Sequence, residues 1–275
     1  MKITTLIEDH QNPSRKDLVS EHGLSFIIEM DGQVLMSDVG QSGKFAENAD
    51  TLGVDLSSVE ALAISHRHYD HGGGLRKFIK VNHKAEVYLR SCPSDFDFIA
   101  HDPDASVHYI GLDKGLLRDY HHRLTYLTEN ERVVTGFHLL TDIPAIYPKP
   151  NGDQRLKMRV GTLVEPDTFE HEMVMVFEGD QGLVILTGCA HNGVLNMIEA
   201  TRRALPEKPI LAVIGGFHLH HEDMVTVKTI GKLLHSWEIP HIITGHCTGD
   251  DAIEILANIL GDRLTPLHTG MIMEF

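Results

Sequence analysis

Apolar and polar positions recur with two different periods along this chain, and the change of period marks its elements. Leu24-Ser25-Phe26-Ile27-Ile28-Glu29-Met30 is strand-like and meets Asp31-Gly32. Such a dipeptide favours a two-residue hairpin turn, because both of its positions tolerate positive φ. Gln33-Val34-Leu35-Met36-Ser37-Asp38 then reads as the returning strand. Gly40-Gln41-Ser42-Gly43 predicts a loop, and Phe45 to Leu52 a short helix stopped by Gly53. Val59-Glu60-Ala61-Leu62-Ala63-Ile64 is mostly apolar and has the length of a buried strand. Beyond Gly72-Gly73-Gly74, the apolar residues Leu75, Phe78 and Ile79 recur at helical spacing.

From Leu183 onward a second rhythm takes over: apolar strand, histidine-bearing loop, amphipathic helix. Leu183-Val184-Ile185-Leu186 runs into Thr187-Gly188-Cys189-Ala190-His191, followed by a helix striped by Val194, Ile198 and Leu205. Ile210-Leu211-Ala212-Val213-Ile214 runs into Gly215-Gly216-Phe217-His218, followed by Val227, Ile230, Leu234 and Trp237 on one helical face, with Trp237 expected in the core. His241-Ile242-Ile243 runs into Thr244-Gly245-His246-Cys247-Thr248, where Thr248 with Asp251 reads as a helix-start box before Ile253, Leu256 and Leu260. Three strand ends of this kind place His191, His218 and His246 on one sheet edge, where open α/β sheets bind ligands. The middle, 82–165, is less regular. It holds Glu86-Val87-Tyr88-Leu89 as a strand candidate and Pro-containing joints at Asp102-Pro103, Ile143-Pro144 and Tyr147-Pro148-Lys149-Pro150. The expectation is a single domain over 1–275 with 82–165 inserted between its two halves.

At 275 residues, 42% apolar and 23% charged, the composition excludes a disordered or fibrous chain. No apolar run approaches the ~20 residues of a membrane span. Met1 to Thr5 leads into Ile7-Glu8-Asp9-His10 without the apolar core of a secretory signal, so a cytoplasmic location is expected. With 24 Lys and Arg against 39 Asp and Glu, the net charge of −15 repels phosphate backbones and argues against nucleic acid as a partner. A small-molecule substrate is expected instead; the oligomeric state is not readable. Three cysteines, Cys92, Cys189 and Cys247, are too few for a disulfide framework. Histidine is the outlier at 20 residues, and it is the commonest metal ligand.

The strand ending at Ile64 delivers Ser65-His66-Arg67-His68-Tyr69-Asp70-His71-Gly72-Gly73-Gly74. In a tight loop His66 and His68 can point one way and Asp70 and His71 another, serving two adjacent cations. The glycines let backbone pass close to them.

This loop resembles the His-x-His-x-Asp-His signature of the metallo-β-lactamase superfamily. The resemblance implies an α/β fold, a four-layer αββα sandwich, with a one- or two-metal site between the sheets. Asp38 matches the superfamily's early aspartate, which supports the metal loop. A narrower resemblance rests on Glu21-His22-Gly23-Leu24-Ser25, Asp38-Val39-Gly40-Gln41-Ser42, Thr187 to Gly193, Gly215-Gly216-Phe217-His218-Leu219 and His246-Cys247-Thr248-Gly249, in this order. These segments look like the 7,8-dihydropterin-6-methyl-4-(β-D-ribofuranosyl)aminobenzene-5′-phosphate synthase-like subgroup, whose namesake reaction joins an activated pterin to an arylamine ribotide. The chain departs from the usual pattern where Gly188-Cys189 stands in place of Gly-Asp. The resemblance then implies metal ligands at His66, His68, Asp70, His71, His191 and His246. Cys189 either replaces the bridging carboxylate as a thiolate or lines the site as a small buried cysteine. His218 resembles a catalytic, non-ligand histidine of related nucleases, or else orients a ligand. His22 is expected to line the substrate pocket, His220 and His221 to face solvent, and His121, His122, His138 and His171 to be surface or structural.

Imidazole and carboxylate suit zinc, iron and manganese alike, and a Cys189 thiolate would tilt the site toward zinc, one or two ions per chain. The expected function is a metal-dependent hydrolase of a small anionic or ester-type substrate. A metal-bound hydroxide, oriented near Asp70 and His68, would attack, and His218 would protonate the leaving group. The alternatives are the subgroup's transferase reaction, with the metals holding a diphosphate leaving group, and a non-catalytic metal or ligand sensor.

Overall fold

The computed structural model describes residues 1–92, 96–101 and 106–275; the Asp102-Pro103 joint lies outside these. Its apolar runs belong to strands buried on both faces, and the two-residue period of a strand divides each run between two cores. In the strand Ser25–Met30, Phe26 and Ile28 face one core and Ile27 the other. In Leu183–Leu186, Val184 and Leu186 face the same shared core, whereas Leu183 and Ile185 face a third. The shared core, with Phe26, Leu35, Phe137, Phe177 and Ile214 among its members, lies between two seven-stranded sheets.

The first sheet is ordered Ile272–Glu274, Lys2–Ile7, Ser25–Met30, Gln33–Ser37, Ala61–Ala63, Glu86–Arg90, Leu124–Leu127. The second is ordered Leu264–Pro266, His241–Thr244, Ile210–Gly215, Leu183–Leu186, Val174–Glu178, Phe137–Leu140, Glu131–Val134. Helices Lys44–Leu52 and Leu75–Val81 cover the outer face of the first sheet. Helices Val194–Ala204, Met224–Ser236 and Asp250–Leu260 cover that of the second. The result is the expected α/β sandwich of four layers. Asp31 and Gly32 do turn with positive φ of 51° and 79°, and Gly53 does close its helix in the left-handed conformation.

Three expectations change. Segment 82–165 does not stand apart as one insertion: Glu86–Arg90 and Leu124–Leu127 extend the first sheet, and Glu131–Val134 and Phe137–Leu140 the second. Only Asp97–His101, Val107–Tyr109, Leu156–Val160 and Leu163–Pro166, the last ending one residue past the segment, build a separate four-stranded sheet. Thr248 does not cap the last helix, because its hydroxyl is turned inward to accept the Phe217 N–H at 3.0 Å; Gly249 occupies the cap instead. Trp237 sits half-buried at the edge of the core with the Arg202 guanidinium 4.3 Å from its ring, not inside.

Strands Gln33–Ser37, Ala61–Ala63 and Glu86–Arg90 run parallel in one sheet, and Leu183–Leu186, Ile210–Gly215 and His241–Thr244 run parallel in the other. Their carboxyl ends open at one end of the sandwich, which brings the loops after them together. Among the described residues no helix is long and apolar enough to cross a membrane.

Candidate metal centre

Asp38 follows the strand Gln33–Ser37 in a left-handed conformation, φ 55°, that aims its fully buried carboxylate at the histidine loop. It accepts the Ser65 N–H at 2.7 Å, the Ser65 hydroxyl at 2.8 Å and the His71 Nδ1–H at 2.7 Å. Since the Ser65 hydroxyl gives its proton to Asp38, it accepts from His66 Nδ1, 2.9 Å away. His246 likewise turns Nδ1 to Asp9 Oδ1 at 2.7 Å, and His191 turns Nδ1 to Asp153 Oδ1 at 2.6 Å. These partners turn Nε2 of all four rings toward the interior. Asp38 and Asp9, as acceptors, also fix a proton on Nδ1 of His71 and His246. Burial pushes Asp153 up to about 9, so the proton it shares with His191 can sit on either partner.

Those atoms converge. His71 Nε2 lies 3.5 Å from Asp70 Oδ2 and 3.1 Å from Cys189 Sγ, and His246 Nε2 lies 3.3 Å and 3.4 Å from the same two atoms. His66 Nε2 lies 3.1 Å from His68 Nδ1, and the His191 ring is centred 4.9 Å from both of these rings. Asp70, His71, Cys189 and His246 offer ligand atoms within 4.8 Å of one another; so do His66, Cys189 and His191. Cys189 is common to both groups and stands between them. The structure therefore brings together every ligand candidate of the sequence, including the cysteine that departs from the usual pattern.

The donor set fits a divalent metal. His191 Nε2 is buried without a hydrogen-bond partner, a costly state for a polar atom that a bound cation would relieve. Burial, with neighbouring histidines adding to it, pushes His66 and His191 well below the ordinary imidazole range, into the neutral form that ligates metal. Burial opposes ionisation of Asp70, yet His71 and His246 outweigh it and hold the carboxyl below the usual range. Burial also opposes a charge on His246, but Cys247, Asp70 and Asp9 hold its pKa well above normal, so negative groups surround this corner and a bound cation would take the place of the proton on Nε2. Burial raises the Cys189 thiol, with Cys247 and Asp70 adding to it.

A cleft of about 330 Å³ opens onto the cluster. Asp70, Cys189, His191, His218 and His246 line one side, and the small sheet supplies Ala100 and Leu156 on another. His218 is buried here, its ring 4.4 Å from that of His191 and its Nδ1 3.2 Å from Asp153 Oδ1. His22 lines the cleft, with Nδ1 2.9 Å from Asp9 Oδ2 and Nε2 3.5 Å from Asp70 Oδ2. His220 and His221 are exposed, although His220 borders the cleft. His121 and His122 are exposed, and His138 pairs with Glu178 at 3.0 Å. His171 takes the structural alternative: it is buried and packed against His68.

Sequence reasoning missed the outer carboxylates. Glu8 and Asp9 follow the strand Lys2–Ile7 directly, a polar pair at a strand end of the same kind as the recognised ones. Asp153, Asp167 and Glu172 carry no local signal.

The metallo-beta-lactamase superfamily profile matches residues 20–91, which include the histidine loop. The 7,8-dihydropterin-6-methyl-4-(beta-D-ribofuranosyl)-aminobenzene-5′-phosphate synthase of Methanocaldococcus jannaschii is 28% identical, the alignment covering 100% of this chain and 97% of that protein. An uncharacterized protein of the same organism, MJ0448, is 25% identical over 95% of this chain and 96% of its own length. Among solved structures, Tm1679, described as a metal-dependent hydrolase of the beta-lactamase superfamily, superposes with a TM-score of 0.85 at 26% identity, covering 100% and 99% of the two chains. The matched segment, the full-length likenesses and the shared fold make this chain similar to the metallo-β-lactamase superfamily, in its fold and in the segment that carries the histidine loop.

Proposed function

We propose that the protein is a metal-dependent hydrolase of a small anionic or ester-type molecule bound in this cleft, with zinc as its metal. The observation that carries this reading is the set of four imidazoles whose Nδ1 atoms are tied outward to Ser65, Asp38, Asp9 and Asp153, so that Nε2 turns inward, where His71 and His246 meet Asp70 and Cys189 and His66 meets His68. His66, His68 and His191 would hold one metal position and Asp70, His71 and His246 the other, with Cys189 between them. Imidazole with a sulfur donor suits zinc better than manganese. A bound divalent metal supplies a Lewis acid and lowers the pKa of water to roughly 7.

The chain does the rest. Asp38, Asp9 and Asp153 fix ring orientation, so the site is formed before substrate arrives. Ala100 and Leu156 place apolar surface over the cleft and limit water. His218, turned toward Asp153, lies within the cleft and is the group to hand a proton to, or take one from, the departing atom. The test is turnover of zinc-loaded protein on phosphodiester, thioester, lactone and lactam panels. We expect activity with at least one class and its loss in His66→Ala and His71→Ala; no turnover on any of them overturns the reading.

A second reading is favoured by one observation, the likeness to the M. jannaschii synthase over nearly the whole of both chains. In this reading the same residues would hold a metal whose charge binds a diphosphate leaving group, while an arylamine attacks a pterin methylene. Pyrophosphate released from a dihydropterin diphosphate and an aminobenzene ribotide supports it; none released excludes it.

A further inference from the structure

The segment from Asp167 to Glu172 belongs to neither ligand-bearing loop, yet it touches two of the rings. Phe169 has φ 55°, a conformation that a bulky side chain rarely adopts and that persists only when its surroundings enforce it. Here its N–H donates to Asp167 Oδ1 at 2.7 Å and its carbonyl accepts from Asn192 Nδ2 at 3.0 Å. The enforced bend lays the Phe169 ring flat on His191, with centroids 4.4 Å apart and planes 10° from parallel. Glu172, fully buried, accepts the backbone N–H groups of His191 at 2.8 Å and Asn192 at 2.7 Å.

The other end of the same segment addresses His68. His171 Nδ1 accepts the Arg67 N–H at 3.1 Å, so its own proton sits on Nε2, which donates to Asp167 Oδ2 at 3.1 Å. That oxygen lies 3.9 Å from His68 Nε2, a buried atom without a hydrogen-bond partner. A carboxylate there draws the His68 proton to Nε2 and leaves Nδ1, on the His66 side, as the donor atom. These contacts fall on His68 and His191, whereas His71 and His246 are oriented by Asp38 and Asp9.

We propose that Asp167–Glu172 is a positioning segment for one of the two metal positions, holding His68 through the Asp167–His171 pair and His191 through Phe169 and Glu172. The inference rests on the metal-binding reading above. Loss of such outer partners weakens metal affinity by about 10–100-fold. The experiment is zinc affinity and stoichiometry, measured by competition with a chromophoric chelator, for wild type, Asp167→Ala, His171→Leu and His171→Gln. Melting of the metal-free proteins, followed by circular dichroism, reports folding. We expect Asp167→Ala and His171→Leu to weaken one zinc equivalent by about 10–100-fold. His171→Gln, which keeps an N–H aimed at Asp167, should recover most of that loss. If Asp167→Ala does not fold, the contrast between His171→Leu and His171→Gln decides. Folded variants that bind zinc as tightly as wild type, or that lose both equivalents together, overturn the proposal. A wild-type protein that takes up no zinc overturns the metal reading itself.

Discussion

Asp38 is fully buried, and the three donors it accepts belong to Ser65 and His71. Removing it strands those donors in the interior, where each costs about 1–3 kcal/mol. Asp38→Ala is therefore expected to lower the unfolding free energy by about 2–5 kcal/mol in urea denaturation, and to weaken zinc binding, since His71 loses the partner that orients its ring. Asp38→Asn keeps a side chain that tolerates positive φ, so it should unfold later than the alanine variant. Cys189 is a different case, because its sulfur lies 3.1 Å from His71 Nε2 and 3.4 Å from His246 Nε2. If it ligates, cobalt-loaded protein will show a thiolate-to-cobalt charge-transfer absorption that Cys189→Ser abolishes. Cys189→Asp, which restores a carboxylate, should keep the second equivalent and shift preference toward harder metals such as manganese. A cobalt protein without that absorption would mean that the cysteine only lines the site.

The histidine loop packs backbone against backbone on the loop that follows Asp38. A Cβ at Gly74 would run into the carbonyls of Val39 and Ser42, which belong to rigid backbone and cannot turn aside. Gly74→Ala is expected to cost about 1–3 kcal/mol and to displace the loop enough to lose zinc, both measurable on one purified variant. The helix Met224–Ser236 offers the contrast. Asp223 caps it by accepting the Thr226 N–H at 2.8 Å, at a position with no part in the cluster. Asp223→Ala should cost about 1 kcal/mol and leave zinc affinity unchanged. These two substitutions separate loss of stability from loss of the site. The element pattern was readable for the same reason that these predictions are local: the apolar period and the Asp31-Gly32 and Gly53 signals act within a few residues. Thr248 was misread because its hydroxyl had a choice between a helix end and the Phe217 N–H, which lies 31 positions away.

The ligand candidates come from both sheets: His66 to His71 follow a strand of the first, and Cys189, His191 and His246 follow strands of the second. A metal held by both groups ties the halves together, binds only the folded chain, and so stabilises the whole domain. At a free concentration a thousandfold above the dissociation constant the gain is about 4 kcal/mol. Scanning calorimetry should therefore show one transition that moves up when zinc is added and down with a chelator. An unchanged transition temperature would mean that the cluster does not bind metal across the two halves.

The motif from His66 to His71 occupies six consecutive positions, and His191, His218 and His246 each follow an apolar strand, so local order was enough to single them out. Local order also divided the chain into strands, helices and loops. It put Asp9 at a strand end without giving it a role, and it could not find Asp153 or Asp167, each one acid among 39, whose role exists only beside a partner. Asp9 meets His246 across 237 positions, Asp153 meets His191 across 38, and His171 meets Arg67 across 104. Nothing in a strand's period encodes such pairings, because they depend on how two sheets face each other and where their loops end. The chain's periodicity carries the ligands to the open end of the sandwich. The packing of the sheets then selects which carboxylates stand behind them, since a hydrogen bond needs its partners within about 3 Å regardless of their separation along the chain.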